Sequence, residues 1–230
     1  MSLKILALDT ATEACSAAVL VGDEVIERFA VAPRRHAELI LPMLEAVLAE
    51  AGLRPAQLDA VAFGRGPGSF TGVRIATGVA QGIACAADLP VAPVSTLAAI
   101  ARQVIAGRGV KRVAAALDAR MGELYWGLYQ ADDEGGVTAL AAECVAPAES
   151  VPLPAGADWY GAGSGWAAYG SALRQRLAVV GSWDDCYPRA GDIGRLGALA
   201  WRRGQLLAAE AALPVYLRDN VAHPGPASGG

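Results

Sequence analysis

The sequence predicts an α/β protein made of two related lobes, and three observations lead to this fold class. An apolar segment that ends in an aspartate occurs twice, at residues 4–9 and 112–118, and short apolar segments alternate with segments of helical period. Strands that alternate with helices are typical of a sheet covered by helices. With 230 residues, 54% of them hydrophobic and 18% charged, the chain is long and apolar enough to bury a large core.

The first copy of the unit begins with three segments typical of strands, at 4–9, 16–21 and 25–31. The sequence Gly22-Asp23-Glu24 between the last two indicates a hairpin. Apolar residues then recur at helical spacing, which predicts a helix over about 35–51 with Gly52 at its C-terminal cap. Pro42 lies inside this helix and is expected to bend it, because proline removes one backbone hydrogen bond.

A glycine-rich loop at 64–72 joins a short buried strand at 60–63 to a helix predicted over 73–87. Its glycines do not have the spacing of a Walker A or a G-x-G-x-x-G phosphate loop, and it contains no lysine. Free N–H groups at the start of the helix could still bind an anion, together with Arg74. The alternative is a turn that lets backbone segments approach closely. The candidate anion-binding residues are Gly66, Gly68, Ser69 and Thr71.

The helix predicted over 73–87 contains Gly78 and Gly82, one helical turn apart. Each interior glycine costs about 1 kcal/mol relative to alanine, so a close packing contact is expected to explain them. A second helix lying against the glycines is the simplest explanation, and it could belong to this chain or to a partner. A strand at 91–94 and a helix that begins at Ser95-Thr96 and ends near residue 105 complete the first copy.

The second copy repeats the strand pattern with less helical sequence. Strands are predicted at 112–118, 123–130 and about 137–145. They are followed by a Pro/Gly loop at 147–156, a strand at 158–160, a helix near 167–177 and a final helix from Asp192. Residues 214–217 are expected to form a short strand or an extended segment, and residues 223–230 a disordered tail. The predicted division is an N-terminal lobe at 1–105, a reduced C-terminal lobe at 106–222 and the tail.

Asp9 and Asp118 hold equivalent positions in the two copies. Two strand-end carboxylates that face each other across a cleft can hold a divalent metal ion through water, and the hydroxyls of Thr10 and Thr12 can bind phosphate oxygens. This arrangement is the architecture of actin, the sugar kinases and Hsp70. We therefore predict two RNase-H-like, actin-like (ASKHA) lobes with mixed sheets flanked by helices, and a candidate nucleotide site formed by these four residues. The alternative is that both aspartates only end strands and cap turns.

Composition argues against several other functions. The four cysteines are widely spaced, without a C-x-x-C pair, so they are expected to be buried free thiols: Cys15, Cys85, Cys144 and Cys186. The two histidines, His36 and His223, are too few for a His-rich metal site. A net charge of −4 without a long basic cluster makes the chain alone a poor RNA binder. No apolar segment is long enough to span a membrane and no signal-peptide pattern is present, so we expect a cytoplasmic protein.

Several stretches of the sequence resemble the TsaB (YeaZ) family. They are residues 5–16 (ILALDTATEACS), 64–75 (GRGPGSFTGVRI), 94–97 (VSTL), 117–126 (LDARMGELYW) and 214–221 (PVYLRDNV). The resemblance implies a role beside TsaD, the related subunit that transfers a threonylcarbamoyl group to N6 of adenosine 37 in ANN-decoding tRNAs, with the ATPase TsaE as third member. TsaD binds its metal through an H-x-x-x-H motif, whereas Ile40 stands four positions after His36 here. The resemblance therefore implies a non-catalytic scaffold that activates TsaD.

In the TsaB family, helices of the first lobe pack against TsaD or, in the free protein, against a second TsaB. The resemblance places this contact on the predicted helices 35–51 and 73–87. It implies no required cofactor, is compatible with a nucleotide at the partner interface, and implies only indirect contact with tRNA. Two other functions stay open: a stand-alone Mg-ATP-binding ATPase or kinase-like protein that uses Asp9 and Asp118, and a glycoprotease-like hydrolase, for which the sequence offers no triad. The implied interface residues are His36, Leu39, Ile40, Met43, Arg74, Thr77, Gly78, Gln81 and Gly82.

Overall fold

The computed structural model of the chain describes residues 2–218, and the tail predicted at 223–230 lies outside them. No helix in this range is both long enough and apolar enough to cross a membrane. The first half of the chain forms β1 (Lys4–Asp9), β2 (Ala14–Val21), β3 (Glu24–Val31), α1 (His36–Glu50), β4 (Ala60–Gly66), α2 (Phe70–Ala87), β5 (Val91–Ser95) and α3 (Thr96–Arg108). A 3-10 helix at Pro55–Gln57 precedes β4.

The second half forms β6 (Arg112–Arg120), β7 (Glu123–Ala131), β8 (Val137–Ala139), β9 (Cys144–Pro147), β10 (Trp159–Ala162), α4 (Ser164–Arg176), β11 (Val179–Trp183) and α5 (Ala190–Arg202). A second 3-10 helix lies at Ala209–Ala211. Gly52 follows α1 with a φ of 65°, as predicted for a C-terminal cap, because glycine adopts the left-handed conformation without strain. Pro42 lies inside α1.

Both sheets have the same strand order. In the first sheet the order is β3-β2-β1-β4-β5, and in the second it is β8-β7-β6-β10-β11, with β9 also pairing with β7. In each sheet the central strand, β1 or β6, pairs antiparallel with the strand that follows it and parallel with the strand on its other side. The repeated order confirms the predicted α/β fold of two RNase-H-like, actin-like lobes.

The second lobe is reduced by one helix. The connection from β3 to β4 contains α1, whereas the equivalent connection from β9 to β10, residues 148–158, contains no helix. The helices α4 and α5 follow β10 and β11 as α2 and α3 follow β4 and β5. These features confirm the prediction of a smaller second lobe, and they make the surface of α1 specific to the first lobe.

The two lobes exchange their last helices. On the first sheet, α1 and α2 pack on one face and α5 on the other. On the second sheet, α3 packs on one face and α4 on the other, where Trp126 and Trp166 are buried. The helix α5 comes from the second half of the chain but packs on the first sheet. The division predicted between residues 105 and 106 stays a prediction.

The prediction of one strand over about 137–145 is wrong. Strand β8 ends at Ala139 and β9 begins at Cys144. The amide of Leu140 still donates to the carbonyl of Leu128 in β7 at 2.8 Å, so the sheet is interrupted at residues 141–143. Both short strands pair with β7, at different points along it. Strand β11 was not predicted, because its sequence VVGSW contains a glycine and does not alternate between apolar and polar residues.

The glycine-rich loop is shorter than predicted, because α2 begins at Phe70 instead of residue 73. The hydroxyl of Ser69 caps the helix by accepting a hydrogen bond from the amide of Gly72 at 3.1 Å, which places Gly72 inside the first turn. Residues 214–217 form no strand. Instead, the amide of Val215 donates to the carbonyl of Arg65 in the glycine loop at 2.8 Å.

Candidate functional site

Asp9 lies at the end of β1 and is buried, with 1% of its surface exposed. One carboxylate oxygen accepts a hydrogen bond from the amide of Ala11 at 2.9 Å, and the other lies 3.5 Å from the hydroxyl of Thr96. Gly64 covers the carboxylate so closely that a Cβ at that position would lie 1.8 Å from Oδ2. Burial raises the pKa of Asp9 to about 7. The carboxyl group is therefore enclosed by the first lobe.

The hydroxyls of the turn after β1 are also engaged. The side chain of Thr10 donates to the carbonyl of Gly72 at 2.7 Å, which ties the turn to the start of α2. The hydroxyl of Thr12 accepts from the amide of Ala14 at 3.2 Å. Both threonines are buried. In this arrangement both hydroxyls stabilise the turn. A phosphate-binding turn would instead need hydroxyls that are free to contact a ligand.

Asp118, the equivalent of Asp9 at the end of the second central strand, is partly exposed. Its carboxylate accepts from the backbone amide of Arg120 at 2.8 Å and from the guanidinium of the same residue at 2.9 Å. The guanidinium also lies 2.9 Å from Glu13 of the first lobe, and the hydroxyl of Tyr169 lies 3.3 Å from the Asp118 carboxylate. A positive charge of the chain itself thus already neutralises Asp118.

The candidate nucleotide site does not fit a metal-bound nucleotide in this structure. A water-bridged divalent cation needs carboxylate oxygens that face a common space. The carboxylate of Asp9 faces Gly64, and the carboxylate of Asp118 faces Arg120. Within residues 2–218, no group of three or more His, Cys, Asp or Glu side chains is arranged to hold a metal ion. The contacts of both aspartates agree with the alternative that they end strands and cap turns.

The glycine loop packs against the turn that follows β1. The amide of Ser69 donates to the carbonyl of Ala11 at 2.7 Å, and a Cβ on Gly68 would lie 2.3 Å from the same oxygen. The carbonyl of Gly68 accepts from the hydroxyl of Tyr125 in the second lobe at 3.4 Å. Gly66 has a φ of 99°, and Thr71 is exposed in the first turn of α2. These contacts describe a close backbone approach, and the anion site stays a prediction.

The outer surface of α2 carries Gly78 and Gly82, and no other part of the described chain covers them. Both are exposed, and a Cβ built at either position would meet no atom within 4 Å. The packing contact that two helical glycines are expected to make is therefore not made by residues 2–218. The sequence left two explanations open, a second helix from this chain or one from a partner. The described residues provide no helix of this chain against the two glycines.

The predicted interface residues lie at three depths. Arg74 and the two glycines are exposed, and Leu39, Met43 and Gln81 are partly buried. The side chain of Gln81 donates to the carbonyl of Ala212 at 2.9 Å. Three predicted residues are buried, so their side chains lie on the inner sides of the two helices and not on the exposed surface: His36, Ile40 and Thr77. Of these, Thr77 donates to the carbonyl of Val73, whereas His36 Nε2 has no hydrogen-bond partner among the described residues.

Exposed residues that the sequence did not single out extend this surface. Phe70 is 57% exposed and Tyr216 44% exposed, with their ring centroids 5.8 Å apart. The guanidinium of Arg74 lies over the Phe70 ring at 3.2 Å from its centroid. Phe70 and Arg74 are one turn apart in α2, a signal visible in the sequence, whereas Tyr216 reaches them only through the fold. We call Leu41, Phe70, Arg74, Gly78, Gly82 and Cys85, all exposed on α1 and α2, the outer helix surface.

The prediction of four buried thiols is wrong for Cys85, which is exposed because nothing in the described chain covers the outer side of α2. Cys15 and Cys186 are buried and Cys144 is partly buried. Burial raises the pKa of Cys15 to about 11 and that of Cys186 to about 12. Cys85 is therefore the thiol that a reagent in solution reaches most directly.

The fold and the site together define a two-lobed actin-like protein whose central aspartates are enclosed or paired. Residues 30–225 match a family model described as TsaD, tRNA N6-adenosine threonylcarbamoyltransferase. The chain is 41% identical to the tRNA threonylcarbamoyladenosine biosynthesis protein TsaB of Escherichia coli K12 over 96% of both chains. It is 38% identical to TsaB of Haemophilus influenzae, over 96% of this chain and 95% of that one.

A solved structure described as YeaZ from Pseudomonas aeruginosa has the same architecture. It superposes with a TM-score of 0.89 and 48% identity, and the match covers 94% of this chain and 100% of that one. This chain therefore belongs to the TsaB (YeaZ) family, as its sequence motifs predicted.

Proposed function

We propose that this chain is a non-catalytic docking subunit in the formation of N6-threonylcarbamoyladenosine at position 37 of ANN-decoding tRNAs. In this proposal it binds and activates a TsaD-type transferase through the outer helix surface. The observation that carries the proposal is the pair of exposed glycines in α2, Gly78 and Gly82, over which residues 2–218 leave open space. The pathway in this proposal is the one given in the names of the TsaB relatives, tRNA threonylcarbamoyladenosine biosynthesis.

The energetics of α2 support a docking role for its outer side. Two exposed glycines in the middle of a helix weaken it by about 1 kcal/mol each, with no compensating contact in the described chain. A side without side chains lets the backbone of another helix approach closely, which would compensate this cost on binding. Phe70 in the first turn of α2 and Leu41 in α1, at 57% and 51% exposure, offer apolar surface on the same two helices. A partner helix that packs along α2 accounts for both features.

The absence of catalysis in this proposal rests on the sequence and on the enclosed site. Ile40 stands where a second histidine of an H-x-x-x-H motif would follow His36. Asp9 is covered by Gly64, and Asp118 is paired with Arg120. The match to a transferase family model is the reason to test catalysis directly. We propose that the purified chain alone transfers no threonylcarbamoyl group to tRNA.

The proposed assembly contains TsaD as direct partner and the ATPase TsaE as third member, with a homodimer of this chain when the partner is absent. The same outer helix surface would serve both contacts. A net charge of −4 leaves tRNA binding mainly to the partner. The proposal needs no cofactor in this chain, is compatible with a nucleotide at the junction with TsaD, and places the protein in the cytoplasm.

The test is to place a bulky side chain on the outer helix surface. Gly82→Leu should leave the chain folded, since its Cβ points into open space, and should reduce the affinity for purified TsaD at least tenfold in calorimetry or gel filtration. Gly107→Leu is the matched control, because Gly107 is also an exposed helical glycine with open space but lies in α3. Unchanged affinity of a folded Gly82→Leu variant would contradict the docking surface.

Labelling of Cys85 gives a second readout of the same surface in the wild-type chain. A maleimide should react first with Cys85 and should react more slowly once TsaD is bound, because the partner covers the thiol. Labelling that is equally fast with and without TsaD, in a complex confirmed by gel filtration, would move the interface elsewhere.

The alternative is a stand-alone Mg-ATP-binding protein that uses Asp9 and Asp118. Calorimetry of the isolated chain with ATP and magnesium separates the two functions. Tight binding that is lost in Asp118→Ala would favour the alternative, and absence of binding favours the docking subunit.

A further inference from the structure

At the junction between the lobes, two neighbouring hydroxyl side chains make contacts with different lobes. Strand β5 of the first sheet ends at Ser95, and α3, which packs on the second sheet, begins at Thr96. The hydroxyl of Ser95 donates to the carboxylate of Glu143 in the second lobe. The hydroxyl of Thr96 lies 3.5 Å from the carboxylate of Asp9 in the first lobe. The chain is thus fixed to both lobes at the point where it crosses between them.

Glu143 is brought to this junction by the loop that interrupts the outer strand of the second sheet. Residues 140–142 of this loop are exposed, whereas the side chain of Glu143 is only 11% exposed. Its carboxylate accepts hydrogen bonds from the hydroxyls of Ser95 and Tyr129. It also lies 3.9 Å from the guanidinium of Arg65, which belongs to the glycine loop of the first lobe.

We propose that Glu143 is a latch that fixes the two lobes relative to each other at the β5–α3 junction. It joins Ser95 and Arg65 of the first lobe to Tyr129 of the second through one carboxylate that is 11% exposed. Without it, the chain can bend where β5 passes into α3 and the two lobes can move apart. This inference does not depend on the proposed function.

The environment of the carboxylate makes this contact stronger than an exposed ion pair between the lobes. A hydrogen bond from a hydroxyl to a carboxylate is stronger than one between neutral groups, and a buried carboxylate is stable only where such donors surround it. Burial, and next the charge of Glu143, raise the pKa of Tyr129 well above its usual value, so its hydroxyl remains a donor. By contrast, the ion pair of Arg120 with Glu13 involves an arginine side chain that is 72% exposed, and exposed pairs contribute little.

Comparison of the two lobes gives an independent reason to assign a role to the loop. In the first lobe the outer strand β3 runs unbroken from Glu24 to Val31, paired with β2 along its length. In the second lobe the equivalent strand stops at Ala139 and resumes at Cys144. The break removes ladder hydrogen bonds from the edge of the sheet, and the residue that it moves inward is Glu143. The latch explains why only the second lobe has this break.

The distance between the lobes tests the latch directly. Spin labels at Ala56→Cys and Ser171→Cys report on the two lobes, because both positions are exposed and lie in the 3-10 helix before β4 and in α4. Cys85 and Cys144 are replaced by alanine in every variant to keep labelling specific. With Glu143 present, pulsed electron paramagnetic resonance should give one narrow distance distribution. Glu143→Ala should broaden it and add a population at longer distances.

Graded variants keep the test decisive if Glu143→Ala fails to fold. Tyr129→Phe removes one donor and Glu143→Gln removes the charge, so both should broaden the distribution less than alanine does. Glu149→Ala is the control, because Glu149 lies exposed in the same lobe and should leave the distribution unchanged. The latch is overturned if the folded variants at 143 and 129 all keep the narrow wild-type distribution, or if Glu149→Ala broadens it equally.

Discussion

The two central strands carry equivalent aspartates at or near their ends, but the surroundings of the two carboxylates differ between the lobes. In the first lobe Asp9 is fully enclosed, with Gly64 against its carboxylate and no basic side chain among its hydrogen-bond donors. In the second lobe Asp118 is partly exposed and accepts from the guanidinium of Arg120. A duplicated unit therefore yields one buried, charge-poor carboxyl group and one paired carboxylate. The difference lies in the residues that surround each carboxylate, Gly64 for Asp9 and Arg120 for Asp118, and not in the strand order.

The helices after the fourth strand of each sheet differ in the same way. In α2 the glycines Gly78 and Gly82 face open space, whereas in α4 Gly165 is buried against Ala116 of the central strand β6. In the first lobe these glycines leave an open side on α2, and in the second lobe Gly165 packs helix on sheet. The contrast separates glycines that pack within the chain from glycines that no described residue covers.

The largest expected loss of stability comes from replacing the glycine that encloses Asp9. In Gly64→Ala the new methyl group would lie within bonding distance of the Asp9 carboxylate, so the loop or the strand must move. We expect a loss of about 3 kcal/mol in the free energy of unfolding, measured by urea titration. Gly107→Ala, at an open helical position, is the control and should not destabilise the chain. A loss below about 1 kcal/mol in Gly64→Ala would mean that Asp9 is not tightly enclosed.

The second prediction concerns the charge of Asp9. Burial raises the pKa of Asp9 from 3.8 to about 7 in the folded chain. Protonation of Asp9 therefore stabilises the folded state, fully below pH 3.8, and this contribution is lost as the pH rises through 7. Asp9→Asn keeps the acceptor for the Ala11 amide and stays neutral. It should match the wild type near pH 4 and exceed it by about 4 kcal/mol at pH 8 in urea titrations.

The equivalent change in the second lobe sharpens the contrast. Asp118→Asn removes the charge that pairs with Arg120, so it should lower the stability at pH 8 slightly, opposite in sign to the change at Asp9. If both substitutions shift stability in the same direction at pH 8, the two aspartates are not as different as their contacts indicate.

Local patterns were enough to predict most strands, the duplication and most helices. The apolar segment of β1, the helical spacing of α1 and its cap at Gly52 all depend on residues close together in the chain. The repeated strand and aspartate then indicated a second lobe of the same order. The family motifs gave the same fold, and the comparisons with known proteins confirmed it.

The candidate site could not be predicted in the same way, because its contacts join residues far apart in the chain. The approach of Gly64 to Asp9, the pairing of Arg120 with Glu13 and the inward position of Glu143 are set by how strands and loops assemble. The strand predicted over 137–145 fails for the same reason. The local sequence favours one strand, whereas the break accompanies contacts of Glu143 with Ser95 and Tyr129, and Ser95 is distant in the chain.

The smallest predicted effect compares helical glycines of the two lobes. Gly78→Ala should stabilise the isolated chain by about 0.5–1 kcal/mol, because alanine favours the helix and its methyl group meets no atom. Gly165→Ala should destabilise it by about 1 kcal/mol, since the methyl group would lie 2.7 Å from the side chain of Ala116 and β6 or α4 must shift. Thermal unfolding of both variants at one pH measures the difference. If the two substitutions change the stability in opposite directions, α2 has a free surface and α4 a packed one, because only a position with open space gains from a side chain. Changes in the same direction would remove the energetic argument for docking at α2.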